Sequence, residues 1–266
     1  MNIENIDQQV AEKLAASLTA ETTELLPYIP YLLQDFNELG TDPQIMLDLL
    51  RRYTSLKVGD KALDLGCGKG PVAIHLAAEM GLNIKGIDIM PEFIAAAREK
   101  AKQRGLTEAN CCFVVEDANI AVNTETGYDL LILGAIGDIL GNSQQTLERL
   151  RPILRPNGYL ILDDAYLQEN DQPLRFAQEC PTFAAWQEIF VTTGWRLLAY
   201  YDVPVGQNID YEPELANIRK RAAELSAKEP EKQQLFAAYV ASQEAEYRDL
   251  IDGLVGVIWL LQKVDM

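Results

Sequence analysis

The segment from Lys57 to Gly81, KVGDKALDLGCGKGPVAIHLAAEMG, restricts the fold more than any other part of the chain. It reads as a turn, a short apolar strand over Ala62 to Leu65, a loop carrying Gly66, Gly68 and Gly70, and a helix that begins at Pro71. Proline suits the first helical turn, where its missing N–H has no partner to lose, and Gly81 is a natural helix stop. The same texture then repeats. NIKGIDIM is a second strand, followed by a helix from Pro91 to about Arg104. CCFVVED, YDLLILGA and YLILDDA are the third, fourth and fifth strands, with a helix over Ser143 to Leu154 before the fifth. WRLLAYYDV and VGVIWLLQKV supply the sixth and seventh. Apolar strands alternating with helices predict an α/β chain built on a parallel sheet covered on both faces.

Around this core the pattern is helical. Residues 3 to 18 place Ile3, Ile6, Val10, Leu14 and Leu18 at helical spacing. Pro27 and Pro30 interrupt the next stretch, and two further helical patches cover Tyr31 to Leu39 and Gln44 to Tyr53, the second announced by Asp42-Pro43. Residues 1–57 thus read as a helical cap, and 58–266 as the main domain, with insertions at about 172–190 and 207–252. The polar stretch 212–252, with Leu215, Ile218, Ala222 and Leu225 on one face, reads as a solvated helical hairpin. A lid or a dimer arm is the alternative, which leaves open a homodimer through this insertion.

Charge narrows the partners. The net charge of -17 and the lack of a basic block argue against nucleic acid, whose phosphates demand Lys and Arg, and against an anionic membrane surface. Cys67, Cys111, Cys112 and Cys180 show no zinc or CxxC spacing and read as reduced, buried thiols. The N-terminus lacks a basic-then-apolar leader and the longest apolar run, Leu254 to Leu261, is too short to span a membrane, so the expected location is cytoplasmic.

The glycine loop admits three ligand classes. A phosphate-binding P-loop needs Ser or Thr after its lysine, but Gly70 and Pro71 follow Lys69. A dinucleotide site wants a third glycine one residue later than Gly70. The remaining class fits several features at once. LDLGCGKG resembles motif I of the class I S-adenosylmethionine-dependent methyltransferases, Asp88 in KGIDIM stands at the acidic end of the second strand, Asp117-Ala118 stands after the third, and LRPILRPNGYLILDD is similar to the turn entering the fifth. The likeness spans about residues 57 to 165.

That resemblance implies a Rossmann-like three-layer sandwich whose seventh strand is antiparallel, with S-adenosylmethionine as the cofactor. Asp64 and the loop Gly66, Cys67, Gly68 and Gly70 are then expected at the methionine portion, Asp88 on the ribose hydroxyls with Ile89 and Met90 packed beside it, and Asp117 with Ala118 at the adenine. Gly134 and Ala135 border the sulfonium in this reading, Tyr31 of the cap approaches the methionine carboxylate, and Lys69 points to solvent.

The implied activity is methyl transfer to a nitrogen or oxygen of a small-molecule acceptor. Other readings remain: a different use of the same cofactor, binding without turnover, or a nicotinamide oxidoreductase. The lone histidine, His75, lies inside the helix after the loop and reads as a packing or surface residue. Asp163 and Asp164, ending the fifth strand, are the candidate general bases or amine ligands. With Asp138 they make an unconvincing magnesium triad, so no metal is expected. Tyr28, Tyr31, Asp35 and Phe36 of the cap, and Phe176, Phe183 and Trp186 of the first insertion, are the candidate acceptor walls.

Overall fold

The computed structural model describes residues 6–36, 42–168, 180–203 and 211–264. Phe176 with the rest of 172–179, the end of the Tyr31 to Leu39 patch and the start of the second insertion lie outside the described residues.

Seven strands form one sheet: β1 (Lys61–Leu65), β2 (Asn83–Asp88), β3 (Cys111–Val115), β4 (Tyr128–Gly134), β5 (Leu154–Leu167), β6 (Trp195–Val203) and β7 (Leu254–Lys263). Their spatial order is β3-β2-β1-β4-β5-β7-β6. The first five pair in parallel, and β7 runs antiparallel to both β5 and β6. The expected topology is the observed one. Alternation along each strand splits the core in two. Ala62, Ile84, Leu130, Ile132 and Ile161 face one side, where α3 (Pro43–Tyr53), α4 (Pro71–Met80) and α5 (Pro91–Gln103) cover them. Leu63, Leu65, Leu131, Leu133 and Leu162 face the other, under α6 (Ala118–Thr124), α7 (Ser143–Leu150) and α8 (Phe183–Thr192). Period-two strands with both faces apolar are what a sheet between two helical layers requires.

Local chemistry sets the element ends. Asp42 caps α3 by accepting the Gln44 N–H at 2.8 Å, and Asp117 caps α6 through the Asn119 N–H at 2.8 Å. The helix expected over Ser143 to Leu154 stops at Leu150, because Pro152 cannot continue the ladder and the chain tightens into a 3₁₀ turn, Arg151–Ile153. The cap contains α1 (Gln8–Ser17), a 3₁₀ turn over Thr23–Tyr28 and a single turn, α2 (Ile29–Leu32), so the helix expected from Tyr31 onward ends instead at Leu32.

The helical hairpin expected at 212–252 is present, but its apolar face is buried rather than solvated. Glu229 and the 3₁₀ turn Pro230–Lys232 break the stretch into α9 (Glu212–Lys228) and α10 (Gln233–Asp252). Ile218, Ala222, Leu225, Phe236 and Tyr239 from this pair share a third core with Ala11, Leu14, Leu25, Leu26 and Ile29 of the cap and with Met90 and Phe93 of the main domain. The apolar face visible in the sequence is buried against a segment nearly two hundred positions away, a contact that periodicity alone cannot name.

Candidate functional site

A cavity enclosing about 1110 Å³ of empty space, part of it open to solvent, lies at the carboxyl edge of β1, β2 and β4. Ligands of open α/β sheets bind at that edge, where strands end and helices begin. Asp64, Gly66, Cys67, Gly68, Asp88, Ile89, Met90, Asp117, Ala118, Gly134 and Ala135 all line it. Two candidates do not. Gly70 adopts a left-handed conformation as the N-cap of α4, and a Cβ there would meet the Phe113 ring at 2.7 Å, so its lack of a side chain accommodates Phe113 rather than a ligand. Tyr31 turns to the insertion and donates to Glu224 Oε2 at 2.6 Å.

Asp88 ends β2 with each carboxylate oxygen holding one backbone N–H: Oδ2 accepts from Gly68 at 2.8 Å and Oδ1 from Met90 at 2.8 Å. These bonds fix the plane of the carboxylate and join β2 to the glycine loop. Each oxygen keeps a lone pair toward the cavity, so two adjacent hydroxyl donors can be accepted together. Burial pushes the Asp88 pKa up to about 6, against the pull of the Met90, Gly68 and Ile89 N–H groups. Asp117 uses Oδ1 for Asn119, and among the described residues Oδ2 carries no hydrogen bond, which leaves an acceptor for an amino group. Asp64 is 3% exposed, and burial, then the charge of Asp88, pushes it up to about 7. The Cys67 thiol is raised by burial and by the Asp64 and Asp88 carboxylates, which keeps it protonated and makes it a small apolar wall. This donor and acceptor set fits a ribose, an adenine amino group and a backbone-cradled polar tail.

Sequence reasoning missed several lining residues. Val10, Leu14, Ser17 and Leu18 of α1 and its end form one wall, and Ile136 and Ile139 after β4 another. Ile136 packs so closely on the loop that a Cβ on Gly66 would stand 2.4 Å from its Cγ2. Ala135 holds φ +51, a conformation uncommon for a residue with a side chain, and its N–H donates to the Asp163 carbonyl at 3.1 Å. The helical spacing of α1 is the available signal for its wall; the strained turn leaves none.

Lys69 departs furthest from expectation. Far from pointing to solvent, it is 6% exposed, and its Nζ donates to the carbonyls of Leu33 (2.6 Å), Gln34 (3.3 Å) and Phe36 (2.7 Å). Burial pulls its pKa down to about 8.

The remaining candidates lie elsewhere. Asp163 and Asp164 do not line the main cavity; with Asp138, Ser143 and Trp186 they line a smaller one behind Ile136. Desolvation of its carboxyl, then Asp163 and Asp138, push Asp164 up to about 7. Among the described residues no group of three His, Cys, Asp or Glu side chains is arranged to hold a metal ion. His75 Nε2 lies 3.2 Å from Gln44 Oε1, outside the cavity. Tyr28 bonds Glu229 and Asp35 pairs with Arg221, so the cap aromatics and Asp35 serve the insertion rather than an acceptor wall. Phe183 and Trp186 pack on Trp259 over the sheet.

The model of a methyltransferase domain family matches residues 56–222, well over half of the chain. The chain belongs to the methyltransferase domain family. The family is that of the S-adenosylmethionine-dependent class I methyltransferases, and the seven-stranded sheet, mostly parallel with one antiparallel strand, matches its fold. An S-adenosylhomocysteine-bound methyltransferase from Geobacter sulfurreducens superposes with a TM-score of 0.73 at 18% identity, covering 89% of this chain and 98% of that one, which shows the shared fold. In sequence, the chain is 25% identical over 148 residues to the 2-phytyl-1,4-naphtoquinone methyltransferase of Nostoc sp., covering 55% of this chain and 64% of that protein. It is 28% identical over 143 residues to the ribosomal protein L11 methyltransferase of Dictyoglomus thermophilum, covering 53% and 44%. The chain spans less than two thirds of the length of the first curated relatives it matches.

For this methyltransferase site, Asp88→Ala is expected to weaken S-adenosylhomocysteine binding by about 1–3 kcal/mol, the range for losing charge-assisted hydrogen bonds. Because the ionised form is the acceptor, the Asp88 contribution to wild-type affinity should be complete above about pH 6 and fall up to about tenfold per unit below it. Titration calorimetry across pH 5 to 8 checks both; affinity that is unchanged in the variant, or insensitive to acid, removes Asp88 from the ribose site.

Proposed function

We propose that the chain transfers the methyl group of S-adenosylmethionine to a nitrogen or oxygen of a small-molecule acceptor. The observation that carries this reading is the gathering of Asp64, the backbone of residues 66–68, Asp88, Asp117-Ala118 and Gly134-Ala135 around one cavity at the carboxyl edge of a parallel sheet. The sulfonium supplies an activated methyl group: the acceptor's lone pair forms the new bond, the carbon–sulfur bond breaks toward sulfur, and a proton leaves the acceptor. The chain's residues hold the two partners in line and exclude water. Asp88 orients the ribose, Asp117 and Ala118 the adenine, and the loop N–H groups the methionine end. Val10, Leu14 and Leu18 form one apolar wall of the cavity. Alignment of this kind supplies roughly 7–11 kcal/mol of rate acceleration without a dedicated base. The placement of Asp163, Asp164 and His75 outside the lining supports a mechanism that depends on position. An acceptor small enough to sit under α1 suits this partly covered site better than a folded protein substrate.

The test pairs binding with turnover. Calorimetry should show S-adenosylmethionine and S-adenosylhomocysteine binding and NAD not binding, and methyl-labelled cofactor should pass label to a small molecule in a deproteinised metabolite extract. No binding of either adenosyl ligand sinks the cofactor reading. Binding without any transfer favours a cofactor-binding protein that does not turn over.

A further inference from the structure

The contacts of Lys69 join three parts of the molecule. Its ammonium has three N–H donors, and the carbonyls of Leu33, Gln34 and Phe36 take all of them as the chain leaves α2. The Phe93 ring, at the start of α5, stands 5.7 Å from the same nitrogen. On its backbone side Lys69 follows Gly68, whose N–H is bound to Asp88, and precedes Gly70, whose N–H donates to the Cys67 carbonyl at 2.9 Å. The residue is therefore anchored at one end in the cofactor loop and at the other in the cap.

The cap hub is held from the opposite side too. Asp35, between Gln34 and Phe36, receives Arg221 of α9 in a two-point fork, Nε to Oδ2 at 2.6 Å and Nη2 to Oδ1 at 2.7 Å. Arg221 also donates to Glu224 at 2.8 Å, the carboxylate that Tyr31 bonds. Paired forks of this kind fix direction as well as distance. The loop, the turn at residues 33–36 and α9 make one unbroken polar chain, and the shared core of cap and insertion includes Leu14, which also lines the cavity.

We propose that Lys69 is a positioning residue that couples occupancy of the cofactor loop to docking of the cap, whose α1 walls the cavity, and of the α9–α10 insertion packed on the cap, with Asp35–Arg221 carrying the coupling onward. This rests on the cofactor reading above. Binding at the loop then tightens the cap, and a docked cap by reciprocity raises cofactor affinity; couplings of this type are worth about 5–150-fold.

Hydrogen–deuterium exchange on the full chain, with and without S-adenosylhomocysteine, tests it. In the wild type the ligand should slow exchange in the loop, in residues 29–36 and in the first half of α9 together. Lys69→Met should bind the ligand at least about 5-fold more weakly; at saturating ligand it should protect the loop alone. Lys69→Arg, which keeps a charged donor, should restore part of the cap protection. Asp35→Asn should protect the cap and not α9, and it carries the comparison with Lys69→Arg if Lys69→Met does not fold. Cap protection unchanged in Lys69→Met, or a wild type in which only the loop responds, overturns the coupling. A wild type that binds no adenosyl ligand fails the cofactor reading instead. The Lys69 link is then judged in the ligand-free protein, where Lys69→Met or Lys69→Arg should speed exchange of residues 29–36, and unchanged rates reject it.

Discussion

Gly68→Val is expected to lower affinity for S-adenosylhomocysteine by more than about 100-fold, the largest effect of any single change in the loop. Gly68 sits at φ +53, lines the cavity and gives its N–H to Asp88. A β-branched residue held in that left-handed region costs on the order of 1–3 kcal/mol. The loop escapes the strain by turning toward an extended conformation, which carries the N–H off Asp88 and frees the carboxylate that should meet the ribose. The isopropyl group also enters the space where backbone and ligand must approach closely. Gly68→Ala should lie between wild type and valine, because it has the same backbone demand with less bulk. Calorimetry gives the affinities and thermal unfolding shows whether the fold survives. A valine variant that folds and binds within about threefold of wild type would mean that the loop does not approach the cofactor closely.

The sheet and the strand-end residues that line the cavity are legible in the sequence because a parallel α/β sheet gathers its strand ends at one edge. Asp88 and Asp117 are short polar residues at the ends of apolar strands, and strand ends meet at one edge whatever the rest of the chain does. Gly70 shows where such reading stops. A glycine that yields to a ligand and one that yields to Phe113 look alike in sequence, and only tertiary packing separates them. The cap is legible as helix but not as a wall. Val10, Leu14 and Leu18 make an ordinary apolar stripe, and which body the stripe covers depends on how α1 docks against α10 and the turn after β4. Tyr31, expected at the methionine carboxylate from the resemblance, and Asp35, expected at an acceptor wall, bond the insertion instead, which the sequence hides because their partners, Glu224 and Arg221, are nearly two hundred residues away. Lys69 reads as solvated because an isolated lysine in a loop ordinarily is, and a cluster of three backbone acceptors leaves no mark in a sequence.

Raising the pH from about 4 to about 8 is expected to destabilise the folded chain, and Asp64→Asn to remove a large part of that loss. Asp64 is 3% exposed, and burial, followed by the charge of Asp88, lifts its pKa from an ordinary 3.8 to about 7, with the Ala73 N–H pulling the other way. Below about pH 4 the carboxyl is protonated in both the folded and the unfolded chain, so its folding costs no ionisation. Between about pH 4 and pH 7 the unfolded chain releases the proton while the folded chain keeps it, and stability falls as pH rises. Above about pH 7 the whole penalty is present, on the order of 4 kcal/mol for a shift of about three units. The net charge of -17 acts in the same direction through self-repulsion. Asparagine keeps an acceptor for the Ala73 N–H and cannot ionise. At about pH 8 Asp64→Asn should therefore melt several degrees above wild type, at roughly 2–4 °C per kcal/mol for a chain near this length. At about pH 4 the two should nearly coincide. Cofactor affinity should drop in the same variant, because Asp64 lines the cavity and in the proposed binding mode its charge meets the methionine end of the ligand. Thermal unfolding of both proteins at the two pH values decides the stability half: equal melting of wild type and variant at pH 8 would show that the buried carboxyl carries no such penalty.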